Sequence, residues 1–390
     1  MIPAREVLAL RDEWQISNDV IEKDWALGWV LAGIAAHPGL GGWIFKGGTA
    51  LRKCYYETYR FSEDLDFTAL PGGPESPDEV TAVFTEIAHW VGENAGLELV
   101  VDSRSFTARS NLRGKPTLMG RVAYGGPSNR SVMPKLKIDV TSDEVVVNPP
   151  VRRVVQQPYS DAPQPPALIA CYAIVDLMAE KLRALAERCR PRDLYDVVYL
   201  FRHPDLLGRS AAVEESLGLK CAHVGVDVPT LDSIHATPFR AEIEGEWANM
   251  LEHQLPSLPP FTQFWSTLDA LFAWLLGEVS VPTLPRAQTG SLDNNWTAPA
   301  TMTSWRTGSP LELVRFAGAN RLKVDIDYRA EAGRRGSRIV EPYALRRTRD
   351  GHVVLFVVND RGELRSYRAD RIAGVAVTRE PFQPRYRIEF

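Results

Sequence analysis

Short stretches in which apolar and polar residues alternate are separated by longer ones in which apolar residues recur at helical spacing, and their order gives the first outline of the chain. Trp43, Ile44 and Phe45 form a short apolar run that Lys46, Gly47, Gly48 and Thr49 interrupt. Thr49 is placed to open a helix, predicted over residues 50–59. The chain then returns as a strand, Phe61-Ser62-Glu63-Asp64-Leu65-Asp66-Phe67. Alternation on that strand puts Ser62, Asp64 and Asp66 on one face and Phe61, Leu65 and Phe67 on the other. Before this unit the pattern predicts a helix over 16–36, capped by Asn18 and ended by Pro38 and the glycines beyond it. After it come a helix over 78–93 and strands over 97–102, 118–124 and 134–141. In the last of these Leu136, Ile138 and Val140 face one way, and Lys135, Lys137, Asp139 and Thr141 the other. Helices follow over 168–187, from Pro191 onward, over 239–255 and over 261–276, with residues 203–237 rich in loops around a small helical piece.

From Val281 to Ser304 the composition shifts to Pro, Thr, Asn, Ser and Gly, the character of a linker. Beyond it a helix over 311–319 precedes short alternating strands over 321–328, 338–345, 352–358, 363–368 and 372–377. Asp350-Gly351 and Arg361-Gly362 supply the turns, which predicts a small β-barrel or open sheet. The domain outline is therefore residues 1–285, a linker over 286–304, and a β unit over 305–390. The linker leads to the expectation that residues 1–285 fold alone.

Composition changes this picture in two ways. The chain has 390 residues and no apolar run that approaches the roughly 20 residues of a membrane span. Its first residues carry charges within the apolar pattern and do not read as a signal peptide. Cys54, Cys171, Cys189 and Cys221 are scattered, as expected of reduced thiols in a cytoplasmic protein. Secondly, a net charge of −4 hides an asymmetry. Residues 301–390 hold 18 of the 45 basic and 11 of the 49 acidic residues, so a basic tail follows an acidic body. Such a tail suits an anion or a nucleic acid, although a solvated basic surface would look the same.

The chemistry centres on residues 43–68. Two carboxylates side by side on a strand repel each other, and a divalent cation is the usual reason to keep them. Oxygen ligands suit Mg²⁺, with Mn²⁺ as a substitute. Gly47 and Gly48 let a ligand approach the main chain, and the helix start at Thr49 favours a phosphate. A glycine pair or an Asp-x-Asp alone is common, and an amphipathic strand with exposed acids is the plain alternative. Together in a strand–turn–helix–strand they describe a triphosphate-using enzyme.

KGGTALRK followed by RFSEDLDF resembles the AbiEii-type toxins of the nucleotidyltransferase superfamily that includes DNA polymerase β. The resemblance implies an α+β fold, a polymerase-β-type core with a helical C-terminal half. It implies that Asp64, Asp66 and a third carboxylate, matched by Asp139, hold the metal, and that Asp139 or Asp193 activates the acceptor. Lys46, Gly47, Gly48, Thr49 and Ser62 would seat the triphosphate. The family's EKLxAL…RDLYD signature matches Lys181 and Asp193, with Asp196 as the alternative aspartate. Lys181 would offset triphosphate charge. The implied acceptor is RNA, often the tRNA 3′ end, with growth arrest and phage defence as the outcome and a cognate antitoxin as partner. The C-terminal unit resembles the Sm-like WYL domain, whose naming tripeptide is replaced here by Val353-Val354-Leu355. Tyr328, Arg338, Arg365, Arg368 and Arg371 are its implied anion-binding residues, for a nucleotide or nucleic-acid ligand. Two other readings stay open: a regulator with a vestigial catalytic core, and a nucleotidyltransferase that acts on a small molecule or protein.

Overall fold

The computed structural model describes residues 1–390 except 112, 129, 237–239, 281–282, 294, 297, 299–310 and 331–332. Helices α1 (Ala4–Trp14) and α2 (Asn18–Ala36) open the chain, and Ser17 caps α2 by accepting a hydrogen bond from the Val20 amide. Strand β1 (Trp43–Lys46) runs into the single turn α3 (Gly47–Ala50), and strand β2 (Asp64–Ala69) returns beside β1. Helix α4 (Pro77–Ala95) begins with a capping box between Ser76 and Glu79. Strands β3 (Glu98–Val100), β4 (Phe106–Ser110), β5 (Pro116–Gly125), β6 (Lys135–Thr141), β7 (Val151–Val154) and β8 (Leu168–Cys171) complete the first sheet. Its path is β3-β5-β6-β2-β1-β8-β7, with β4 paired to β5. Trp25, Trp43, Phe45, Phe67 and Phe84 are fully buried beneath one face of it. Each such side chain contributes on the order of 2 kcal/mol by leaving water.

Helices α5 (Ile174–Arg188), α6 (Pro191–Phe201) and α7 (Ser210–Val224) follow, with shorter helical pieces to Leu275. Then come helix Leu311–Ala319 and a five-stranded antiparallel sheet of β9 (Leu322–Arg329), β10 (Arg335–Arg347), β11 (Val353–Val358), β12 (Leu364–Arg368) and β13 (Ile372–Pro381).

Besides the cap of α2, which is Ser17 and not the expected Asn18, three expectations change. The helix predicted over 50–59 is short: after α3 the chain makes one π turn, Leu51–Tyr55, closed by the Tyr56 amide on the Leu51 carbonyl. Tyr56 and Tyr59 are drawn into the apolar core, which overrides local propensity. Leu168–Cys171 is a strand, parallel to β1 at Phe45 and Cys171, and its helix starts only at Ile174. An unbroken apolar run carries no period to separate the two. Finally, the small helical piece expected within the loop-rich stretch 203–237 is the 15-residue helix α7. The predicted start of the 239–255 helix lies outside the described residues, as do 294, 297, 299–304 of the linker and the first residues of the β unit.

The two units share a core. Leu194, Tyr195 and Phe264 belong to the same apolar cluster as Leu311, Val324, Ile326 and Leu355. Tyr195 donates to Asn320 Oδ1 at 2.7 Å in a buried position. Arg379 pairs with Glu252 at 2.8 Å. This contact bears directly on whether residues 1–285 stand alone.

Candidate active site

Strand register builds the site. Lys46 on β1 lies opposite Asp66 on β2, and Asp66 lies opposite Asp139 on the parallel neighbour β6. One row further along, Asp64 lies opposite Lys137. Residues opposite each other, or two apart, project from the same face, so all five form one patch. The other face of these strands, with Phe45, Leu65, Phe67, Ile138 and Val140, is core.

The turn after β1 is shaped around this patch. Gly47 has φ +80°, and a Cβ there would stand 2.3 Å from Asp66 Oδ2. Only glycine leaves that carboxylate its room. A Cβ at Gly48 would meet Ser62 Oγ at 2.9 Å, so Ser62 does lie against the glycine pair. Thr49 is buried and its hydroxyl donates to the Asp64 carbonyl at 2.5 Å, which ties the turn to the start of β2. Lys46 is also engaged: its ammonium lies 3.4 Å from Glu144 and 3.3 Å from Glu180. Burial alone would lower its pKa, but Glu180 and Glu144 overcome that and hold it charged.

The carboxylates are short of positive charge. Burial pushes Asp66 from 3.8 up to about 6, and Asp64 and Asp139 add to the rise against the pull of Lys46 and Lys181. Asp139 Oδ1 is buried without a hydrogen-bond partner. Its Oδ2 accepts from Lys137 Nζ at 2.5 Å, and the same ammonium is 3.9 Å from Asp64. Among the described residues, no three acidic, histidine or cysteine side chains already converge on an ion-sized point. Lys137 fills the gap between Asp64 and Asp139 instead. The donor set, the orphaned oxygen and the depleted positive charge all fit a hard divalent cation, with Lys137 swung aside.

Helices α5 and α6 supply the cationic side. Lys181 Nζ lies 2.7 Å from Asp196 and 3.7 Å from Asp193, and both aspartates are fully buried. Arg60 grips Asp196 through Nε at 2.7 Å and Nη2 at 2.8 Å. Although Asp196 is buried, Arg60 and Lys181 hold its carboxyl far below the usual range. Arg188 holds Asp193 through two bonds of 2.8 and 3.0 Å and lies within electrostatic reach of Asp66. Sequence reasoning missed Lys137, Arg188 and the Glu144–Glu180 pair around Lys46. For Lys137 the signal was available, since it shares the polar face of its strand with Asp139.

In the β unit, Arg338 lies over the rings of Tyr328 and Tyr367, 5.3 and 5.7 Å from their centres. Arg365 pairs with Glu363 at 2.7 Å and Arg368 with Asp370 at 2.6 Å. Arg371 ends the single turn Ala369–Arg371 that leads into β13.

A glycine turn and paired carboxylates on a mixed sheet, faced by a lysine-bearing helix, define a nucleotidyltransferase-type site. Residues 29–275 match the family model of the nucleotidyl transferase AbiEii toxin of type IV toxin–antitoxin systems. The match spans more than half of the chain, which belongs to this nucleotidyltransferase-toxin family. Residues 309–377 match the WYL domain. Among solved structures the chain is similar to MenT4, a nucleotidyltransferase toxin from Mycobacterium tuberculosis H37Rv. The identity is 23% and the TM-score 0.44, over 70% of this chain and 88% of that one. No curated protein matches. No helix among the described residues is long and apolar enough to cross a membrane.

Proposed function

We propose that the protein transfers a nucleoside monophosphate from an NTP to an RNA, the tRNA 3′ end being the favoured acceptor. Growth arrest and phage defence are the biological outcome, and a cognate antitoxin holds the activity in check. The observation that carries this reading is Asp66 and Asp139 side by side on parallel strands, next to a glycine turn that leaves Asp66 uncovered.

In this scheme Asp64, Asp66 and Asp139 would hold Mg²⁺, which would supply positive charge against the charge that develops on the phosphates. Lys46, Gly47, Gly48, Thr49 and Ser62 form the cradle, Lys46 and Thr49 by fixing its walls. Lys181 and Arg188 face the triphosphate, and Asp193 and Asp196 hold those cations in place. The acceptor hydroxyl oxygen bonds to the α-phosphorus, the α–β anhydride bond breaks, and pyrophosphate leaves. The hydroxyl proton goes to Asp139, whose Oδ1 has no other partner. The β unit recruits a nucleotide or nucleic acid through Tyr328, Arg338, Arg365, Arg368 and Arg371.

Incubation with total RNA and each labelled NTP in turn tests this. Label should enter small RNA in wild type and not in Asp64→Ala. Label in no RNA with any nucleotide would overturn the RNA assignment.

A further inference from the structure

The end of α6 meets the β unit at a cavity of about 140 Å³, lined by Tyr199, Arg202, Arg321, Tyr386, Arg387 and Phe390 among others. Arginines from both units face it, and no aspartate or glutamate lines it among the described residues. The Arg202 guanidinium lies 4.8 Å from the centre of the Phe264 ring and donates to Thr267 Oγ1 at 3.1 Å and to the Gln263 carbonyl at 3.5 Å. Its Nε is buried with no hydrogen-bond partner. Burial lowers the pKa of Arg202 well below that of a free guanidinium, and Arg321 lowers it further. Burial alone lowers Arg321 to about 10, with no carboxylate acting against it. Arg321 also sits at φ 56° on the turn between the Leu311–Ala319 helix and β9.

Two desolvated guanidiniums that repel each other are costly unless an anion joins them. A contrast lies next door. A larger cavity of about 490 Å³ shares His203, Pro204, Arg387, Ile388 and Phe390 with the smaller one. There the arginines have a counter-ion: Glu389 pairs with Arg346, with Arg286 at 2.7 Å, and with Arg387 at 3.9 Å. Glu389 thus serves the arginines of the larger cavity, including the shared Arg387, whereas Arg202 and Arg321 of the smaller cavity have no carboxylate partner among the described residues.

We infer that the smaller cavity binds the phosphate group of a small phosphorylated molecule, whose organic part extends into the larger cavity. Guanidinium forks match phosphate oxygens two at a time, and the tyrosine walls exclude water from the pair. The bound phosphate would fasten the β unit to α6, the helix that carries Asp193 and Asp196. This inference is independent of the nucleotide acceptor proposed above.

Calorimetric titration of the full chain in EDTA, with inorganic phosphate and with AMP as probes, tests it. AMP should bind saturably, and inorganic phosphate at least tenfold more weakly. Equal affinities would assign the site to free phosphate and overturn the part of the inference that concerns the larger cavity. Arg321→Asn keeps a residue type that tolerates the left-handed conformation and removes the charge. It should weaken AMP binding tenfold or more, as should Arg202→Gln, whereas Asp66→Asn should leave it unchanged. Should Arg202→Gln fail to fold, Arg321→Asn decides alone. Undetectable binding of both probes at millimolar concentration, or unchanged binding in Arg321→Asn, would overturn the inference.

Discussion

Asp66→Asn is expected to abolish transfer and, in EDTA at pH 7.5, to make the protein more stable. Asp66 faces Lys46 from β1, Asp139 from β6, Lys181 from α5, its own neighbour Asp64 and the Arg188 guanidinium. Burial and the two carboxylates outweigh the cations, so its pKa rises from 3.8 to about 6. An acid with a raised folded-state pKa keeps a proton that the unfolded chain has already released. Stability therefore falls as pH climbs from about 4 to 6 and is level above that. Two units correspond to roughly 3 kcal/mol. The amide, which needs no ionisation, removes that loss, so the variant gains up to about 3 kcal/mol at pH 7.5 and almost nothing at pH 4. Denaturant unfolding at the two pH values measures it. Adding Mg²⁺ should stabilise wild type and leave the variant unmoved, by linkage. An equal gain at both pH values, or a loss at pH 7.5, would refute the reasoning that this carboxylate is held short of a cation.

Arg60→Met leaves Asp196 buried with Lys181 alone and should cost about 3–5 kcal/mol in urea unfolding, in the manner of a broken buried pair. Gly47→Ala pays about 1–2 kcal/mol for a left-handed alanine, and its Cβ intrudes on Asp66, so transfer should fall far more than stability in parallel kinetic and unfolding assays. Lys137→Met vacates the space between Asp64 and Asp139; the Mg²⁺ concentration for half-maximal transfer should drop several-fold, and an unchanged metal titration would show that Lys137 does not compete there. The fragment 1–285 loses the partners of Tyr195 and of the shared apolar cluster, so its melting temperature should lie below that of the full chain.

Much of the core was legible because its pattern is local. The Gly-Gly break, the Asp64/Asp66 alternation and the polar face of residues 134–141 each lie within a few residues, and register alone brings them together. Strands of the β unit were legible for the same reason, with their turns marked by glycine. What sequence hid is set by contacts between distant residues. Nothing local says that Lys46 is clamped by Glu144 and Glu180, nor that Asp196 is buried under Arg60. Each is an ion pair between residues whose spacing carries no period. The π turn at Leu51–Tyr55 was hidden because aromatic burial, not propensity, ends that helix. The shared core was obscured by a Pro- and Thr-rich stretch that reads as a flexible tether whatever its ends pack against.

One element joins these features. Helix α6 carries Asp193 and Asp196 near its start, Tyr195 between them, and Arg202 just past its end. Nine residues from Asp193 to Arg202 span roughly 14 Å at 1.5 Å per residue. The aspartates fix Lys181 and Arg188 beside the carboxylate patch, Tyr195 bonds to Asn320 of the β unit, and Arg202 faces the interdomain cavity. The residues that seat the WYL-like unit and those that hold the Lys181 clamp thus lie on the same helix, so a substitution in α6 such as Tyr195→Phe removes a bond to Asn320 without touching either aspartate.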